Sequence, residues 1–134
     1  MPRVRILLAD DNSAVLDLVT GLLSNNYDIV AAVKDGRAVV KECLRLNPDV
    51  VVLDISIGKV NGIGVARQLR EAGSNSKIVF LTVHDDYQYV NAAIGTGAMA
   101  YVVKPHLSTD LPLAIEAVLS DKFFVSSNLM YHQD

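Results

Sequence analysis

Five short apolar runs, rich in β-branched residues, recur along the chain at residues 4–9, 28–33, 49–53, 77–81 and 100–103. Two of them, VRILLA and VVVL, are continuous rather than alternating, which is the pattern of strands buried on both faces of a parallel sheet. Helices must then cover both sides. The intervening stretches carry that helical periodicity: Leu16, Val19, Leu22 and Leu23; Val39, Val40, Cys43 and Leu44; Ile63, Ala66 and Leu69; Val90, Ala93 and Ile94; Ile115, Val118 and Leu119. Asn47-Pro48 and the segments 73–76 and 95–97 punctuate the helix ends, and Pro112 is expected in the first turn of the last helix, where its missing N–H costs nothing. Strict strand and helix alternation, five times over, predicts an open α/β sheet with right-handed crossovers.

With 134 residues, 51% of them hydrophobic and 20% charged, the chain has the size and core of one domain. Its net charge is −3 and its 12 Lys and Arg are scattered, so the broad basic face that duplex nucleic acid requires is missing. Direct contact with DNA is not expected of this segment. The single cysteine, Cys43, excludes an internal disulfide and suits a reducing compartment. No run reaches the 18 or so apolar residues of a membrane span, and MPRVR leads straight into a strand pattern without a signal-peptide core. A cytoplasmic location is the expectation.

In such a sheet ligands bind outside the carboxyl ends of the strands, so the residues that follow each strand matter most. There the chain places Asp10 and Asp11, Asp54, Thr82, and Lys104 followed by Pro105. Each has an ordinary explanation: a solvated turn, a cap supplied by Asn12 and Ser13, a surface lysine. Their coincidence at one end of four strands is what needs a reason. Three converging carboxylates raise one another's pKa unless a cation neutralises them, and a hard divalent ion with oxygen ligands is the natural one. Asp54 ends the central strand and is best placed to act as a nucleophile toward a phosphoryl group, with metal and Lys104 offsetting charge and Thr82 donating a hydrogen bond.

These residues, in this order and spacing, resemble the receiver domain of bacterial two-component response regulators over nearly the whole chain. The acid pair, the DIS...NG stretch from Asp54 to Gly62, the FLT ending in Thr82 and the segment from Tyr101 to Pro105 carry the likeness. VRILLADDN, DIVAAVKDGR and GAMAYVVK resemble the NarL-type subgroup, whose receivers precede a LuxR-type helix-turn-helix. The resemblance implies a flavodoxin-like, doubly wound sheet of five parallel strands in the order 2-1-3-4-5 with five helices. Residues 1–126 would form the receiver domain, and 127–134 a tail or the start of a linker to an output domain outside this chain.

By the same resemblance Asp54 is the phosphoacceptor, and Asp11, Asp54 and the backbone carbonyl of Ser56 hold Mg²⁺, with Asp10 acting through water. Lys104 pairs with the phosphoryl group, Thr82 moves toward it and Tyr101 swings inward as the switch aromatic. The implied partners are a sensor histidine kinase and a second copy of the chain, with DNA reached only through the absent domain and no membrane partner. Such a protein is a signalling phosphoacceptor and not a turnover enzyme. The alternatives are a Mg²⁺-dependent phosphohydrolase that uses an aspartyl phosphate, and an interaction module that works without phosphate. The hydrolase needs a second Asp two residues after its nucleophile, where this chain has Ser56.

Departures from the family pattern set further expectations. Ile57-Gly58-Lys59 stands where Met-Pro-Gly is common, which should loosen that loop and add a cation; Val83 replaces a smaller residue and should narrow access to Asp54. Lys104-Pro105 is expected to be cis. His84, His106 and His132 share no metal-ligand spacing and read as surface or loop residues.

Overall fold

The computed structural model describes residues 3–126. β1 (Arg5–Ala9), β2 (Asp28–Val33), β3 (Val50–Leu53), β6 (Lys77–Thr82), β7 (Ala100–Val103) and β8 (Phe124–Val125) form one parallel sheet in the order β2-β1-β3-β6-β7-β8. Its first five members keep the expected 2-1-3-4-5 order, in an α/β, flavodoxin-like fold. The sixth strand is a correction. Phe124 and Val125 continue the sheet beside β7, pairing with Ala100 and Tyr101.

Five helices cover the sheet: α1 (Ser13–Leu23), α2 (Val39–Leu46), α3 (Gly62–Glu71), α4 (Tyr87–Ile94) and α5 (Leu107–Leu119). Strand pleating splits the core in two. Leu7, Val51, Leu53, Phe80 and Tyr101 face one way, packing with Cys43, Ala66, Leu69 and Val90 of α2, α3 and α4. Ile6, Leu8, Val52, Val79 and Val102 face the other, against Leu16, Val19, Leu111, Ile115 and Val118 of α1 and α5. Both faces bury apolar side chains, which is why β1 and β3 read as unbroken hydrophobic runs.

Helix starts follow side-chain chemistry. The Asn12 carboxamide accepts from the amides of Ala14 and Val15 at α1, and Asn61 accepts from Ile63 at α3. Asn47 closes α2 in the left-handed region, φ 50°, before Pro48. Pro112 departs from expectation: a 3₁₀ turn (Lys104–His106) leads into α5 at Leu107, five residues earlier than the proline suggests. Pro112 therefore lies inside the helix, and the Ser108 carbonyl that it cannot bond belongs to an exposed residue that water can serve.

Among the described residues no helix is long and apolar enough to cross a membrane.

Candidate functional site

The C-terminal ends of β1, β3, β6 and β7 deliver the predicted residues to one place. Asp10 and Asp54 are buried, at 4% and 6% exposure, and Asp11 is exposed beside them. One carboxylate oxygen from each of the three lies within 4.8 Å of the other two. Lys104, the first residue past β7, reaches both buried acids, with Nζ 2.9 Å from Asp54 Oδ2 and 2.8 Å from Asp10 Oδ2.

Main-chain donors fix the carboxylates. The Asn12 amide donates to Asp10 Oδ1 at 2.9 Å, the Ser56 amide to Asp54 Oδ1 at 3.1 Å, and the Gly58 amide to Asp11 Oδ2 at 3.0 Å. Gly58 is free to do this because it sits at φ 60° in the turn between β4 (Ser56–Ile57) and β5 (Val60–Asn61), an antiparallel pair. Ile57 is buried in the core, Val60 packs against it, and the glycine adopts the conformation that the turn needs.

Burial raises the pKa of Asp10, against the opposing pull of the neighbouring Lys104 ammonium and the Asn12 amide. Burial works against the charge on Lys104 too, but its contacts to the Asp10 and Asp54 carboxylates outweigh it and hold the ammonium above its ordinary pKa. Asp10 Oδ2 is buried with the ammonium as an ion-pair neighbour and no well-aligned hydrogen bond. An oxygen-only donor set with one buried oxygen short of partners suits a hard divalent cation, so the acidic cluster fits a metal.

The remaining predicted residues stand close to this cluster. Thr82 is fully buried, and its hydroxyl accepts from the His84 amide at 3.2 Å. Tyr101 is already inward: its ring is fully buried near Phe80, and its hydroxyl donates to the His84 carbonyl at 2.6 Å. Val83 is 67% exposed. The Lys104-Pro105 bond is trans, a correction, since no described peptide is cis. The lysine starts a 3₁₀ turn and spans to both acids from there.

His84 is the residue that sequence reasoning missed. Besides its two backbone bonds, its ring stacks on Tyr89 at 4.2 Å, and Nε2 lies 3.3 Å from Ser56 Oγ. The available signal was its place two residues past Thr82, at the same end of the sheet. His106 is exposed, and His132 lies outside the described residues.

Residues 6–116 match the sequence profile of the response regulator receiver domain. The chain is 33% identical over 118 residues to the transcriptional regulatory protein DegU of Brevibacillus brevis, which covers 87% of this chain and 49% of that protein. In structure it is similar to a LuxR-family two-component response regulator from Aurantimonas sp. SI85-9A1, with a TM-score of 0.91, 27% identity, and 96% and 94% of the two chains covered. It is also similar to the signal receiver domain of the response regulator NarL from Mycobacterium tuberculosis, with a TM-score of 0.81, 25% identity, and 90% and 97% covered. The chain spans about half the length of the curated relatives it matches.

Proposed function

The chain belongs to the response regulator receiver domain family, and on that premise we propose that Asp54 accepts a phosphoryl group from the phosphohistidine of a sensor kinase. An Asp54 oxygen attacks phosphorus, the bond from phosphorus to the donor imidazole breaks, and the imidazole leaves with the electron pair. The observation that carries this reading is the Lys104 ammonium, held between Asp54 and Asp10 at the meeting point of three strand ends. The Ser56 amide fixes one Asp54 oxygen, and Lys104 waits beside the other, where charge on the incoming phosphoryl oxygens must be met. Mg²⁺ held by Asp11, Asp54 and the Ser56 carbonyl, with Asp10 acting through water, would supply the remaining positive charge that lets an anionic donor approach.

The new charge then reweights two conformations. Moving such a pair from 1:99 to 99:1 takes about 5.5 kcal/mol of differential stabilisation, more than a lone surface phosphate provides. Thr82 and Lys104 engaging the phosphoryl group together with the metal is the arrangement that supplies it. Because Thr82 and Tyr101 both bond to His84, a shift of the threonine is passed to the start of α4 and to β7. The face formed by α4, β7 and α5 is the proposed surface for a partner or a second copy. Output is proposed to be transcriptional, through a helix-turn-helix domain outside this chain, as DegU's description as a transcriptional regulatory protein suggests. The setting is cytoplasmic, and the only reactions catalysed are the domain's own phosphorylation and dephosphorylation.

The test is direct. With Mg²⁺ and acetyl phosphate the protein should gain one labile phosphoryl group by intact mass, and Asp54→Asn should gain none. Equal labelling of the variant would overturn the assignment.

A further inference from the structure

α5 carries the chain back toward the N-terminal end of the sheet, where a chain of strictly alternating elements would leave it. This one turns at Asp121, φ 59°, and runs up again as β8, parallel to β7. The last described residue, Ser126, therefore stands beside the end of β7, next to the root of Lys104. It is fully buried, and its amide and hydroxyl together make three hydrogen bonds. Its amide donates to the Tyr101 carbonyl at 3.0 Å, its hydroxyl accepts from the Val103 amide at 3.1 Å, and that hydroxyl donates to Asp110 Oδ2 of α5 at 2.8 Å.

β8 is only two residues long, so it cannot supply a backbone carbonyl opposite Val103. The serine oxygen stands in for that missing rung. Without it the buried Val103 N–H would have no acceptor, in the peptide unit immediately before Lys104. We infer that Ser126 is a positioning residue for Lys104, and that the place where the chain leaves the sheet is thereby coupled to what Lys104 holds. The inference rests on reading Asp54 as the phosphoacceptor. When the ammonium exchanges a carboxylate partner for a phosphoryl oxygen, any strain on its root bears on the Val103–Ser126 bond. Coupling of this kind is reciprocal, so cutting the bond must also change how well the site engages a phosphoryl group.

Four variants test this: Ser126→Ala, Asp110→Ala, Asp110→Asn and, as a comparator that loses α5 packing without touching the bond, Val118→Ala. Phosphorylation by acetyl phosphate is followed over a range of donor concentrations, with amide exchange measured before and after adding beryllofluoride. Ser126→Ala should slow the maximal rate on the order of tenfold, with the half-saturating donor concentration little changed. Asp110→Ala should act in the same direction, Asp110→Asn should restore the rate because its carboxamide oxygen still accepts, and Val118→Ala should stay near wild type. Beryllofluoride should alter exchange at residues 124–126 in wild type and not in Ser126→Ala. The inference is overturned if Ser126→Ala labels at the wild-type rate, or if it and Val118→Ala slow equally. Should wild type itself take no phosphoryl group, the phosphoacceptor reading fails instead. The Val103 amide then decides the positioning role alone, since its exchange must accelerate in Ser126→Ala and not in Val118→Ala.

Discussion

The Tyr101 hydroxyl donates to the His84 carbonyl across 2.6 Å, which pins the β6–α4 loop to the strand that leads directly into Lys104. Tyr101→Phe removes that donor and leaves the ring in place, at a cost of about 1 kcal/mol in stability. Amides of residues 83–90 should then exchange faster. In wild type, beryllofluoride should change protection across residues 83–104 while the body of β1 stays as it was. Changes confined to the Asp54 loop would mean that no signal leaves the site.

Replacing Lys104 with Met leaves Asp10 and Asp54 facing each other with no cation between them. Breaking a buried pair in this way costs about 3 kcal/mol, and labelling should fall to background. Loss of Lys104 also removes an influence that lowers the Asp10 pKa, so folded protein binds its proton more tightly than unfolded chain does. Stability relative to wild type should therefore recover as pH falls from 7 toward 5. Urea titrations at the two pH values measure the difference, and a constant deficit would argue against an electrostatic cause.

Two glycines in α3 should respond in opposite ways to the same change. A Cβ on Gly62 would overlap the Asp54 carbonyl oxygen and lie 2.9 Å from Ile55 Cα, so Gly62→Ala must push the phosphoacceptor's own backbone aside. Loss of labelling and more than about 2 kcal/mol of stability is expected. Nothing lies within 4 Å of a Cβ on Gly64, and Gly64→Ala should add about 0.5–1 kcal/mol with labelling unchanged. Thermal melts of the pair separate the outcomes.

Alkaline pH should destabilise the domain from the core outward. Burial pushes the Cys43 thiol from 9.0 up to about 12, and burial, with Asp85 and Asp86 adding, raises the Tyr101 phenol above its ordinary 10.0. Both groups stay protonated in the folded protein while the unfolded chain loses those protons, so stability is full below about pH 9 and falls as pH rises toward 12. Cys43 should also resist alkylation at pH 8 unless urea is present. Rapid labelling of the native protein would contradict its burial.

The acids, Thr82 and Lys104 could be read from the chain because each directly follows or ends an apolar run long enough to recognise, and topology does the rest. Ser126 and β8 could not. A two-residue strand has no periodicity to detect, and the Asp121–Lys122 pair before it looks like a solvated helix end. His84 was passed over for a different reason: its contacts run mostly through its backbone amide and carbonyl, which every residue possesses, so its identity carried little information. Pro112 misled because a 3₁₀ turn can feed an α-helix without a break, letting the proline fall deeper in than its usual first-turn place.

Pairing with β8 has one more consequence, for where the domain can be cut. Residues Ala100–Val103 are all apolar and fully extended, and without Phe124 and Val125 one side of that strand would present an open row of N–H and C=O groups. Exposed hydrophobic edges of this kind recruit other strands. A chain ended at Asp121 should therefore scatter light and self-associate on warming, where one ended at Ser126 stays monodisperse. On that expectation, a two-residue strand too short to recruit a partner takes the place of a four-residue edge.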